Sequence, residues 1–489
     1  MWYGVSSIAA RFLNYLMTPY LTAVFTASVY GELSLLYSAI PLFNILFTYG
    51  METAYFRFYN NYDDKKAVYN TISISLICST ILLTLIMLLF KHPLAVLLNL
   101  DKHEDYVTVA AFIIGLDALA AIPFARLRQL GKPRKYALIR VLSIFINISA
   151  TYFFISICPT WVASSPHGFT ATWYHPTWGV GYCFLANMIA SAATLVFLWK
   201  EWLGFDWKFD AALWKILMQY SLPLIIAGLG GMVNETFDRI MVGKLAPFPT
   251  EELRNAQVGI YSACYKLSML ITFSVQAFRM AGEPFFFKQA QDKNAPRTYA
   301  RVMKFFVITL SVMFLCVVLF IDVWKYFISN HKMWVGLSVV PLLLLANMFL
   351  GIYYSLSIWY KLGNRTKAGA TITLIGAAVT LVVNFIFIPY FSYMASAWAT
   401  FLCYGSMMVI SFVWGQKEYR IPYAWKKLLA FMVIAVLVYW LHNGIDYILP
   451  NKYFNFISGV LLLAVYCLFI FKIEKKEFAK MPVIGKWAK

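Results

Sequence analysis

The chain has 489 residues, of which 61% are hydrophobic, 18% aromatic and only 13% charged, and it carries a formal net charge of +19. A soluble domain holds roughly 45–50% apolar residues, so the composition describes an integral membrane protein and not a soluble globular enzyme. A basic excess of this size suits nucleic acid or the anionic face of a membrane, but the bases lie in short loops between apolar runs, without any RNP, zinc-finger or helix-turn-helix pattern, which speaks against nucleic acid.

At about 20 apolar residues per span, the sequence predicts about fourteen transmembrane helices. They run Trp2 to Val24, Glu32 to Tyr55, Val68 to Phe90, Tyr106 to Ala125, Leu138 to Cys158, Thr177 to Leu198, Leu217 to Leu245, Val258 to Ala281, Val302 to Ile321, Val335 to Tyr360, Ala368 to Ile388, Tyr393 to Trp414, Leu428 to His442 and Phe454 to Phe471. Hydrocarbon cannot satisfy an irregular backbone, so the fold class is an all-α polytopic membrane protein. Two six-helix lobes are expected at 1–199 and 214–414, followed at 426–489 by two additional helices and a basic tail.

Orientation is read from Lys and Arg. One side carries Arg126, Arg128, Lys132, Arg134, Lys135 and Arg140, similar clusters near 57–66, 200–215, 288–304, 361–367 and 417–427, and the tail lysines from Lys472 to Lys489. The other side holds only Lys91, Lys102, Lys244, Arg254, Lys325, Lys332 and Lys452. Both termini are therefore expected in the cytoplasm. The chain enters its first apolar segment almost at Met1, without a cationic leader or small-residue cleavage site, so no cleaved signal peptide is expected.

The outer loop from Pro159 to Trp178 has no Lys or Arg but several Trp residues, with His167 and His175. It reads as an interfacial aromatic belt or as a lid that stacks on sugar rings. Loops of no more than about 25 residues leave no room for a soluble catalytic domain. The seven cysteines are dispersed, with no CxxC or metal-ligand spacing, and are expected to serve packing. Cys158 and Cys183 flank the aromatic loop and are the one pair placed to bridge.

A shift of 228 residues superimposes Arg11 on Arg239, Pro19 on Pro247, Thr22 on Thr250, Gly31 on Gly259, Ser34 on Ser262 and Tyr37 on Tyr265 without a gap. Both copies begin a pair of spans running in the same direction, so the repeat is parallel, about an axis along the membrane normal.

Charges inside the apolar helices supply the functional candidates, because an ionisable group within a span normally faces the bundle interior or water. Arg11 lies about 15 Å along its helix, near mid-membrane. Arg239 is its repeat partner, Lys266 lies on the next helix, and Arg57 and Arg279 come near helix ends where snorkelling is easy. These five are the substrate-binding candidates. A planar guanidinium binds phosphate oxygens bidentately and keeps its charge when desolvated, so an anionic head group is the expected cargo. Among the acids, Glu235 has the spacing to pair with Arg239, which would leave Asp238 pointing elsewhere as an ion or proton site. Asp117 is a lone acid deep in the fourth span, and Glu52 lies near Arg57; all four are ion-coupling candidates. Pro223 with Gly228, Gly230 and Gly231 predicts a discontinuous seventh helix near a binding site. No P-loop, HExxH, GxSxG or clustered metal ligands occur, so neither enzyme nor cofactor is expected.

Several motifs together resemble the polysaccharide-type lipid-linked oligosaccharide flippases of the multidrug/oligosaccharidyl-lipid/polysaccharide exporter superfamily. They are SSIAARFLNYLMTPYLT with VYGELSLLY, FTYGMETAYFRF, GLDALAAIPFARLRQLGKPRKYA, and YSLPLIIAGLGGMVNETFDRIMVGK with VGIYSACYKLS and FRMAGEPFFF. The resemblance implies two lobes about a cationic cavity and alternating access that carries an undecaprenyl-diphosphate-linked oligosaccharide to the periplasmic leaflet of a bacterial inner membrane. The cavity cations would be Arg11, Arg239 and Lys266. The partners it implies are the lipid-linked substrate, membrane lipids and a coupling H+ or Na+, with the protein a monomer. A cation-coupled multidrug antiporter of the same superfamily is the nearest alternative, but it calls for cavity acids. A membrane glycan polymerase or ligase is the third, but it calls for a large outer loop.

Overall fold

The computed structural model describes residues 2–290, 292–363 and 365–479, without the side chains of 2–8, 10, 283 and 284. The end of the basic tail, 480–489, lies outside the described residues.

Each of the fourteen predicted segments falls on a helix. In chain order these are α1 (Trp2–Val24), α2 (Ala27–Thr48), α3 (Lys65–Leu89), α4 (Glu104–Gln129), α5 (Pro133–Tyr152), α6 (Gly181–Phe197) and α7 (Ala211–Leu245). They continue with α8 (Glu251–Gln289), α9 (Ala295–Val318), α10 (Val340–Leu356), α11 (Thr366–Phe391), α12 (Tyr393–Glu418), α13 (Trp425–Ile448) and α14 (Lys452–Phe478). Among the described residues, twelve helical stretches are long and apolar enough to cross a membrane, and α6 is a shorter apolar helix. Polar caps start several of them: the side chains of Thr26, Asp64, Asp210 and Asn451 accept backbone N–H groups of the first turns of α2, α3, α7 and α14. Such caps satisfy donors that have no carbonyl of their own within the helix.

The backbone break falls elsewhere than the sequence suggests. α7 runs unbroken for 35 residues with Pro223 inside it. Its glycines admit neighbours: a Cβ on Gly228 would stand 3.2 Å from the Ile45 side chain, and one on Gly230 3.0 Å from that of Leu374. The interruption is at the end of α2, where Tyr49 and Gly50 take positive φ angles of 31° and 75° before the helix resumes at Met51–Asn61. Gly50 suits this because it carries no Cβ to strain the left-handed turn.

The chain divides into two compact units, 1–263 with 373–399, and 264–372 with 400–489. In the first, α4 packs against α2, α3 and α6, α5 bridges α6 and α1, and α7 lies along α2. Tyr55, Val68, Ile72, Leu76, Ile122, Leu213 and Leu217 form one of its buried clusters. Within this unit α2 meets the start of α8 at Gly31 and Gly259, each of which faces a carbonyl of the other helix, that of Asn255 or Ala27. Lipid supplies no hydrophobic drive for helix association, so close approach at small residues takes its place.

In the second unit α9 carries α10, α13 and α14. The last two helices are pinned to it electrostatically. Glu474, 1% exposed, takes the ammonium groups of Lys304 at 2.7 Å and Lys427 at 2.5 Å, and Glu477 meets Arg301 at 2.9 Å. All seven cysteines are free, including Cys158 and Cys183.

Candidate functional site

Arg239 sits on α7 in a small polar cluster. Its Nη1 reaches the Asp238 carboxylate at 3.0 Å and the Glu235 main-chain carbonyl at 2.9 Å. The other Asp238 oxygen accepts the Tyr261 hydroxyl of α8 at 2.7 Å, and the guanidinium lies 5.7 Å from the centre of that ring. Asp238 is 4% exposed and Arg239 12%, so this is a largely desolvated pair. The sequence had pointed Asp238 away from Arg239; adjacency in the chain and the Tyr261 donor turn it back onto the guanidinium. The Glu235 side chain is exposed.

The remaining candidates of the first unit are dispersed. Arg11 is exposed on α1. Arg57 stacks on Tyr220 of α7, 4.4 Å from the ring centre. Glu52 pairs with Arg128 of α4 rather than with its sequence neighbour Arg57, because the break at Gly50 restarts the helix and presents Glu52 to α4. Asp117 accepts the Ser191 hydroxyl of α6 at 2.8 Å. In the second unit, Lys266 is half-buried on α8 and Arg279 lies 5.0 Å from the centre of the Tyr354 ring.

Two polar networks had no signature in the sequence. At the basic ends of the first unit's helices, buried Glu201 takes Lys135 at 2.7 Å, while its main-chain carbonyl accepts Arg126 at 2.6 Å and the Tyr69 hydroxyl at 3.0 Å. Nearby, the Lys66 ammonium, 2.6 Å away, holds the Asp206 carboxyl below the ordinary carboxylate range. At the opposite ends, the Asn99 amide donates to Asn255 Oδ1 at 2.6 Å, and Arg254 donates to Asn99 Oδ1 and to the carbonyls of Gly243 and Phe248. Pairs far apart in sequence, with no periodicity, leave no pattern to read.

Beside that end a cleft of about 580 Å³ opens among His103, Trp173, His175, Thr177, Trp178 and Tyr182, over Leu185. Trp178 Nε1 donates to the Asp105 carboxylate, and Tyr174 stacks on Tyr182 with ring centres 4.5 Å apart. Burial against Tyr182 pushes the Tyr174 phenol up to about 12, so it stays neutral.

The family described as Polysaccharide biosynthesis protein matches residues 1–290, more than half of the chain. The chain belongs to that family. Its fold is shared with a lipid II flippase, MurJ, in an inward closed conformation (TM-score 0.73, 13% identity, covering 96% of this chain and 99% of that one). It is also shared with a multidrug resistance MATE family transporter of the MOP superfamily. The inward-facing conformation gives TM-score 0.63 at 13% identity over 83% of this chain and 94% of that one; the outward-facing gives 0.56 at 13% over 85% and 94%. No curated protein matches the chain.

For a polysaccharide biosynthesis protein of this fold, the described groups offer one means of holding an anion and, apart from it, an aromatic cleft. Guanidinium and ammonium groups on spanning helices can hold phosphate oxygens, and the aromatic cleft has no Lys or Arg in its lining.

Proposed function

We propose that the protein is a flippase that moves an undecaprenyl-diphosphate-linked oligosaccharide across the bacterial inner membrane for surface polysaccharide synthesis, with both termini in the cytoplasm. Family membership carries this reading. Supporting it are the fold shared with a lipid II flippase and basic side chains placed within spans, where a charge is costly unless it serves a polar cavity or cargo. Arg11 and Arg239, related by the internal repeat, are the proposed diphosphate ligands, with Lys266, Arg57 and Arg279 as further contacts. Asp117 is the proposed coupling group for H+ or Na+, because Asp238 and Glu52 are already in ion pairs. The protein acts without bond-making: it shelters the head group and lets the lipid tail remain in hydrocarbon.

The test is transport of a fluorescent lipid-linked oligosaccharide in reconstituted vesicles, with and without an imposed ion gradient. Wild-type protein is expected to expose the label to an outer-leaflet quencher, and the double variant Asp238→Asn with Arg239→Ala to lose that exposure while remaining folded. Equal rates in protein-free vesicles would end the proposal.

A further inference from the structure

The aromatic cleft lies at the ends of the first unit's helices opposite the basic loops, and its lining has no Lys or Arg with which to grip a phosphate. Its size falls within the roughly 300–1,000 Å³ of small-molecule sites. Its walls are fixed in place beforehand. The Tyr106 hydroxyl donates to the Trp178 carbonyl at 2.8 Å, the His175 main-chain N–H donates to the Tyr182 hydroxyl oxygen at 2.8 Å, and Trp178 is held by Asp105. His103 stacks flat on Tyr106, ring centres 4.4 Å apart. Walls fixed in this way lose little freedom when a ligand arrives.

The rings of this region divide in two. Trp161 and Phe169, 51% and 84% exposed, stand outward as interfacial anchors do. Trp178 and buried Tyr182 turn inward on the cleft, and Trp173, 38% exposed, stands at its rim. An anchor belt explains the first set only. Tyr182 is itself sandwiched between Phe154 and Tyr174, so the ring surface left to a ligand is that of Trp178 and Trp173, with His103, His175 and Thr177 sharing the lining. A pyranose ring matches this arrangement: its C–H face packs on aromatic carbon, and its hydroxyls meet imidazole and hydroxyl groups at the rim.

We propose that this cleft is a glycan subsite that takes an uncharged sugar ring from the head group of the lipid-linked oligosaccharide on the outer side of the membrane. The inference rests on the flippase reading and adds to it a second contact point, separate from the diphosphate ligands. Cargo held by its sugar here would be kept from sliding back once the diphosphate is released.

The test is calorimetric titration of the full-length protein in nanodiscs with the water-soluble oligosaccharide released by mild acid from the host's lipid-linked glycans. Saturable binding is expected in the wild type, about tenfold weaker in Trp173→Ala and within about threefold of wild type in Trp173→Phe. Trp173 is exposed enough that either variant should fold, which its elution profile and melting curve will verify. No saturable binding in the wild type, or equal binding in Trp173→Ala, overturns the subsite. Sugar-free undecaprenyl diphosphate is titrated in parallel and should bind wild type and Trp173→Ala alike but not Arg239→Ala. Loss of that second binding in the wild type, with the glycan still bound, rejects the flippase reading and leaves the subsite standing.

Discussion

Gly31 and Gly259 meet with no room for a Cβ on either: one built on Gly31 would lie 1.8 Å from the Asn255 carbonyl oxygen, and one on Gly259 1.9 Å from that of Ala27. Residues 27 and 255 differ by 228, as do 31 and 259, so the two halves of the contact are the same contact viewed from opposite sides. Gly31→Ala or Gly259→Ala should therefore force α2 and α8 apart and lower stability by about 1–3 kcal/mol, the usual result of overpacking. Because both press on one contact, the double variant should cost less than the sum of the two. Melting curves of the four proteins in detergent check this, and additive losses would mean the two glycines act independently.

The Asp238–Arg239 pair allows the cargo role of Arg239 to be separated from a structural one. Arg239→Ala alone leaves a buried carboxylate without its cation, a loss of about 3–5 kcal/mol. Adding Asp238→Asn removes that charge and should recover most of the stability. If Arg239 grips a diphosphate, the double variant will be stable yet inactive in surface glycan assembly; wild-type glycan levels in it would reduce the pair to scaffolding. Arg239→Lys should rescue only in part, because the two-pronged geometry is lost.

Asp117→Asn removes a carboxylate that is hydrogen-bonded to Ser191 at 2.8 Å while keeping an acceptor in the same place. Folding should be little affected. Transport in vesicles should lose its response to an imposed proton or sodium gradient, and an unchanged response would take Asp117 out of the coupling step.

Glu474 holds α13 and α14 to α9 through Lys304 and Lys427. Glu474→Gln would leave both ammonium groups without their counter-charge, with an expected loss of about 3 kcal/mol. Limited proteolysis should then cut first in the connection 419–424. A variant as resistant as the wild type would show that apolar packing alone is enough to dock the pair.

The Lys66–Asp206 pair predicts a small pH effect of known sign. The Asp206 carboxyl is held below its ordinary 3.8 by Lys66, so the contribution is complete above that value and fades as the pH falls through the lowered, folded-state value. Lys66→Ala should therefore narrow its stability gap to the wild type only under strongly acidic conditions, as read from melting curves across pH. A gap that narrowed instead on the alkaline side would reverse the assignment.

The helices were legible because hydrocarbon permits little else: a run of about 20 apolar residues leaves the backbone no partner but itself, and every predicted segment coincides with a helix. One contact was foreshadowed too, since the gapless shift of 228 aligns Gly31 with Gly259, the two glycines that meet. Helix ends and breaks were less so. Pro223 and its glycines resemble a break in composition, yet α7 runs on through them, with the side chains of Ile45 and Leu374 against Gly228 and Gly230, while the true break at Tyr49 and Gly50 rests on a single glycine. Partners were the least legible. Glu52 with Arg128, Asp117 with Ser191 and Asn99 with Asn255 are set by how distant helices come together, which spacing along the chain does not encode. The loop of Trp and His residues was open to two readings, and its rings divide between an exposed set and a set that lines the cleft.

The crossing at Gly31 and Gly259 also bears on how the first unit can move. Each glycine lies against the main chain of the other helix, so α2 and the start of α8 have no side chain between them that could repack. A displacement of either helix at this level must carry the other with it, which makes the crossing a fixed point of the first unit rather than a place where it can bend.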